Sequence, residues 1–186
     1  MRILTLCGSL RARSSNRAVL NAFARLVPPG VRVEHFDRLG SLPHFNPDTD
    51  FEPLPAEVSS LRSLVAHADV LVISTPEYVH GLPGSFKNAL DWLVSDPAFA
   101  GKPVAILHAS RGSSWALDSL REVLATMSAR IIEAAVVPLP LGSSQIDEEA
   151  ILQREDLRRL LEGAVVAVVA DAVGKGYVAS APPNPR

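Results

Sequence analysis

Residues 3–16 read Ile3-Leu4-Thr5-Leu6-Cys7-Gly8-Ser9-Leu10-Arg11-Ala12-Arg13-Ser14-Ser15-Asn16. The stretch opens on a short, almost wholly apolar run, as a strand buried on both faces does, and leaves it through Gly8-Ser9 into a polar turn. From Asn16 the period changes. Val19, Ala22, Phe23 and Leu26 fall on one helical face, and Pro28-Pro29-Gly30 stops it. A strand, a polar turn and a helix make the opening unit of an α/β chain.

The unit recurs down the sequence. Val31 to Phe36 alternates and predicts a second strand, and a proline-rich loop runs from Pro43 to Pro55. Val58, Leu61, Leu64 and Val65 mark a second helix, and Val70 to Ser74 a third strand that stops at Thr75-Pro76. Phe86, Ala89, Leu90 and Leu93 form a third helical face, Val104 to Leu107 a fourth strand, and Leu117, Leu120, Leu124 and Met127 a fourth face. Ile131 to Val137 predicts the fifth strand, and the face from Leu157 to Val168 the fifth helix. Such repeats predict an α/β fold, a doubly wound five-stranded parallel sheet in the order 2-1-3-4-5. With no internal repeat and no break in composition, the expectation is one domain over 1–186, with 180–186 a flexible tail.

Composition narrows the function. The chain has 186 residues, 47% of them apolar and 20% charged, which excludes a disordered chain. Eighteen basic and 20 acidic side chains give −2, so no nucleic-acid footprint is present. The single cysteine, Cys7, excludes an intramolecular disulfide and reads as inert core. The five histidines show no ligand spacing, so no metal is expected. No apolar run approaches the roughly 18 residues of a spanning helix. The expectation is a soluble cytoplasmic protein with no membrane partner.

In a doubly wound sheet, ligands bind beyond the carboxyl ends of the strands, where the strand order reverses. For this order that point lies between strands one and three, which directs attention to the turns Gly8–Asn16 and Thr75–Gly84. The first turn sets Ser9, Ser14, Ser15 and Asn16 as neutral donors, and Arg11 or Arg13 as charge, at a helix start whose N–H groups favour a phosphate. Helix capping alone needs only one hydroxyl. The turn is neither G-x-G-x-x-G nor a P-loop, which argues against Rossmann dinucleotide binding and ATP hydrolysis. In the second turn Pro76 fixes the chain as it leaves the strand, while Gly81 and Gly84 allow close approach to a flat ligand.

Gly8-Ser9-Leu10-Arg11-x-x-Ser14-x-Asn16, Pro76-Glu77-Tyr78 and Pro83-Gly84-x-x-Lys87-Asn88-Ala89-x-Asp91-Trp92 together resemble the NADPH-dependent FMN reductase family, flavodoxin-like proteins that include quinone, chromate and azo-dye reductases. The resemblance covers nearly the whole chain. It implies that Ser9, Arg11, Ser14 and Asn16, with Ser15 beside them, hold the FMN 5′-phosphate. It also implies that the backbone of Pro76, Glu77, Tyr78 and Val79 borders the isoalloxazine ring, and that Ser110, Arg111 and Gly112 close its other side. The Lys87–Trp92 helix is implied at a dimer contact, which makes Asn88 and Asp91 structural. The wide apolar arc made by Phe86, Leu90, Trp92 and Leu93 points to a homodimer or homotetramer on the same helix. The chain departs from the family at Val79, where Asn is frequent, at His80, where an aromatic is common, and at Arg111, in a loop usually glycine-rich. These departures bear on acceptor specificity.

The function implied is FMN-dependent transfer from NADPH or NADH to a flavin, quinone or similar small acceptor. The flavin supplies the redox chemistry, so no catalytic side chain is named. Arg111 is the candidate for tuning the ring by charge, and His80 for bordering the acceptor. Two other readings stay open: a flavodoxin-type electron carrier, which Arg11, Arg13 and the near-neutral charge oppose, and a flavin-free interaction protein on the same fold.

Overall fold

Successive strand residues alternate between two apolar cores, because a pleated strand turns neighbouring side chains to opposite faces. In the computed structural model, which describes residues 1–110, 112, 114–141 and 145–174, Ile3, Val70, Val72 and Ala105 enter one core. Leu4, Leu71, Ile73 and Ile106 enter the other. Both faces of the sheet are therefore covered, as the apolar runs require.

The elements follow as β1 (Arg2–Cys7), α1 (Ser15–Leu26), β2 (Arg32–Phe36), α2 (Ala56–His67), β3 (Val70–Ser74) and α3 (Gly84–Leu93). They continue as β4 (Pro103–Ser110), α4 (Trp115–Thr126), β5 (Arg130–Pro140), α5 (Glu148–Gln153) and α6 (Glu155–Val173). The strands form one sheet in the order β2-β1-β3-β4-β5, with every neighbouring pair parallel. Helices α1, α5 and α6 pack on one face, and α2, α3 and α4 on the other. Fold class and strand order are those expected from the sequence.

The boundaries differ in informative places. β5 is longer than Ile131 to Val137 because it carries an irregularity. Val104 of β4 pairs with Ile131 but Ile106 pairs with Val136, so β5 bulges between the two registers and then runs on to Pro140. Helix α5 is a further element that apolar spacing missed. It has six residues, buries only Ile151, and starts where the Asp147 carboxylate accepts from the Ala150 nitrogen at 2.8 Å. The 43–55 loop contains a short 3₁₀ turn, Pro47–Thr49.

The wide arc of α3 is also corrected. Phe86, Leu90, Trp92 and Leu93 are all fully buried within this one chain. Trp92 Nε1 donates to the Pro43 carbonyl at 2.8 Å, and the Phe45 ring meets the indole edge-on at 5.1 Å. Asn88 closes the same contact, donating to Pro43 O at 2.9 Å and accepting from Phe45 N at 2.7 Å. Arg62 adds an ion pair to Asp50 at 2.6 Å and a bond to the Trp92 carbonyl at 2.9 Å. The chain's own loop occupies the extra apolar width, which removes that argument for a second subunit. Truncating a side chain buried like Trp92 costs about 3–5 kcal/mol. Among the described residues no helix is long and apolar enough to cross a membrane, and no cluster of metal-ligating side chains occurs. The 180–186 tail lies outside the described residues.

Candidate functional site

Gly8 sets the floor of the site. Its nitrogen donates to the Ser74 carbonyl at 2.9 Å, drawing the end of β1 against the end of β3. A Cβ at this position would stand 2.1 Å from Thr75 Oγ1, so only glycine permits the approach. The turns after β1 and β3 consequently leave the sheet side by side, at the reversal of strand order.

Within the first turn the polar groups divide into two sets. Ser14 caps α1, its Oγ accepting from the Arg17 nitrogen at 3.3 Å. Asn16 is buried under the turn, where its Oδ1 lies 2.9 Å from Ser74 Oγ. The same hydroxyl lies 2.8 Å from the Leu107 carbonyl, so its single proton is shared between β4 and the start of α1. Asn16 is thus a brace for the turn. Ser9 is partly exposed and takes the Arg11 nitrogen at 3.3 Å, while Arg11 and Arg13 are exposed and Ser15 opens the helix. Arg13 lines a cavity of about 230 Å³ that Asp147 and Glu148 also line, so acidic neighbours accompany its charge. Cys7 is buried beneath, its Sγ 4.0 Å from Ser14 Oγ.

Near this turn, His35 Nδ1 of β2 lies 2.6 Å from the buried Thr5 hydroxyl. Burial, helped by the Arg17 charge, pushes the imidazole below its ordinary pKa, and Asp37 and Glu148 oppose this in part. Arg17 itself pairs with Asp37 at 2.6 Å.

The second turn is a tight hairpin. Tyr78 and Gly81 exchange two backbone bonds of 3.0 Å, leaving Val79 and His80 at the tip with φ of 50° and 57°. Left-handed backbone at two successive non-glycine residues is uncommon, and for a β-branched valine it is strained. Val79 is fully exposed and Tyr78 is 47% exposed.

The turn after β3 and the start of α4 are joined by side chains. Glu77 Oε2 accepts from the Ala116 nitrogen at 3.0 Å, capping α4 from outside its own segment. The His80 and Trp115 rings stack with centroids 5.5 Å apart and planes inclined by 23°. Neither tie carries a local sequence signal, since each joins positions more than thirty residues apart in the chain. Ser110 ends β4, Gly112 is exposed with φ of 111°, and Arg111 lies outside the described residues.

This donor set fits an anionic group such as an FMN phosphate at the start of α1. A family model for NADPH-dependent FMN reductase matches residues 1–143. The chain belongs to that family. This FMN reductase family member is accordingly an enzyme, a flavin-dependent NAD(P)H oxidoreductase that uses FMN and NAD(P)H. It is 32% identical over 173 residues, 90% of this chain and 93% of the other, to an NAD(P)H-dependent FMN reductase of Pseudomonas aeruginosa. It is 34% identical over 138 residues to a quinone reductase of Escherichia coli, covering 71% and 73% of the two chains. Among solved structures, a flavoenzyme NAD(P)H:(acceptor) oxidoreductase of Paracoccus denitrificans superposes with a TM-score of 0.75 at 25% identity, over 94% of this chain and 97% of that one.

Proposed function

We propose that FMN lies across the carboxyl ends of β1 and β3, its phosphate in the 9–16 turn and its ring between the 76–80 hairpin and the start of α4. The observation that carries this is the side-by-side exit of the two turns, fixed by Gly8 against Ser74 and Thr75. Bound there, FMN would supply the redox chemistry, taking two electrons from NAD(P)H and passing them to a small acceptor.

The chain's own part is binding and orientation. The N–H groups that open α1 face the phosphate with partial positive charge, and Ser9, Ser14, Ser15 and Arg11 add donors. Asn16 acts from below by holding the turn to Ser74. The backbone of Pro76, Glu77, Tyr78 and Val79 forms one edge of the ring site, and Ser110, Arg111 and Gly112 its far side. A quinone is the acceptor class we favour, on the strength of the quinone reductase relative. The same reading takes residues 1–186 as one flavin domain, acting in the cytoplasm as a homodimer or homotetramer. Family membership disfavours the electron-carrier and flavin-free readings.

A visible spectrum tests the proposal. Purified protein titrated with FMN should show a bound-flavin spectrum that bleaches on anaerobic addition of NADPH and returns when a quinone is added. Protein that stays colourless with FMN, or bound flavin that NADPH leaves oxidised, overturns it.

A further inference from the structure

We propose that the stacked His80–Trp115 pair is the specificity-determining wall of the acceptor subsite, selecting flat aromatic acceptors over compact inorganic ones. This rests on the flavin placement proposed above. His80 stands at the tip of the hairpin after β3, and Trp115 is the first residue of α4, which follows β4. Since β3 and β4 are hydrogen-bonded neighbours, the pair spans the mouth of the site at its ring end.

The pair is not core filler. Trp115 is 58% exposed, whereas the chain's other tryptophan, Trp92, is fully buried. Tyr78 and Val79 are exposed beside it, so the rim presents aromatic and apolar surface to solvent. The backbone that delivers His80 is strained at Val79, and such strain persists where surrounding contacts fix it and concentrates at functional sites. The carboxylates nearby are already bonded within the chain, Glu77 to the Ala116 nitrogen and Asp118 to the Ser114 hydroxyl. Recognition here therefore works through ring surface. An indole braced by an imidazole offers an electron-rich face to an electron-poor ring such as a quinone, and offers nothing comparable to a compact anion.

The experiment compares specificity constants of the FMN-loaded enzyme, at fixed NADPH, for 1,4-benzoquinone and for ferricyanide. Trp115→Ala and His80→Ala should each lower the quinone-to-ferricyanide ratio by about three- to tenfold, the scale of one lost aromatic contact. Trp115→Phe should restore it, and the double variant should lose less than the product of the singles because the rings act as one unit. A second readout needs no turnover: equilibrium dialysis of 1,4-naphthoquinone against the oxidised holoenzyme should show weaker binding in Trp115→Ala and recovery in Trp115→Phe. A ratio unchanged in both alanine variants, with bound flavin and normal NADPH oxidation in wild type, overturns the wall alone. Wild-type protein that binds no FMN overturns the flavin placement and this inference with it.

Discussion

Glu77 accepts a hydrogen bond from the Ala116 nitrogen at 3.0 Å, so the turn after β3 caps the helix that follows β4. Loss of a helix cap costs roughly 0.5–2 kcal/mol. Glu77→Ala should destabilise the protein on that scale in urea unfolding and also weaken FMN binding, because both sides of the ring site loosen together. Glu77→Gln keeps an accepting oxygen and should retain most of both. Equal losses in the two variants would show that the negative charge, rather than the cap, is what matters.

Val79 carries a left-handed φ of 50°, which its branched side chain resists. Relieving such strain is worth about 1–2 kcal/mol. Val79→Asn and Val79→Gly should therefore raise the urea midpoint with an unchanged slope. A lowered midpoint in Val79→Asn would mean that the exposed valine makes a contact the strain argument omits.

Arg11 is exposed in the turn after β1, the proposed phosphate site, and Arg13 lines a cavity together with Asp147 and Glu148. Removing a charge-assisted contact costs about 1.5–3 kcal/mol, or one to two orders of magnitude in affinity. Arg11→Ala should weaken FMN by that factor and leave riboflavin, which lacks the phosphate, almost unaffected. Titration with both ligands decides the matter. Equal weakening would move Arg11 from phosphate binding to folding.

His35 has its pKa depressed, first by burial and then by Arg17. The unfolded chain therefore takes up the proton before the folded one does. Stability is at its full value above the unfolded pKa near 6.5 and falls as pH drops below it. His35→Gln should flatten this part of the profile in urea unfolding between pH 5.5 and 7.5. A slope as steep in the variant as in wild type would assign the effect to other groups.

Arg111 directly follows Ser110, the last residue of β4. A cation beside the ring end would favour the reduced flavin, and about 30 mV corresponds to 1.4 kcal/mol for a two-electron couple. Arg111→Met should lower the midpoint potential by tens of millivolts with FMN still bound. An unchanged or raised potential removes the tuning role, and loss of FMN assigns Arg111 to binding.

The sheet was legible because each strand is a short apolar run and each helix shows a regular face, as in Val70–Ser74 and Phe86–Leu93. The bulge in β5 was not, since Ala134 to Val137 stays apolar on either register and Glu133 alone does not fix where the extra residues sit. Local chemistry singled out the turn after β1: Gly8, Ser9, Ser14 and Asn16 stand together in sequence. The second role of Asn16 is not local: its Oδ1 accepts from Ser74, fifty-eight positions away, a partner no local pattern announces. The contacts of Glu77 with Ala116 and of His80 with Trp115 are hidden for the same reason. The arc of α3 misled because apolar width tells how much surface must be covered and says nothing about what covers it.

That cover, the Pro43 and Phe45 segment over Trp92, separates folding from assembly. The helix that starts just after the hairpin completes its burial within one polypeptide. The packing of that face is then a property of the single chain and needs no second copy to form. Dilution can take an oligomer apart without unfolding the strands and helices that frame the cofactor site.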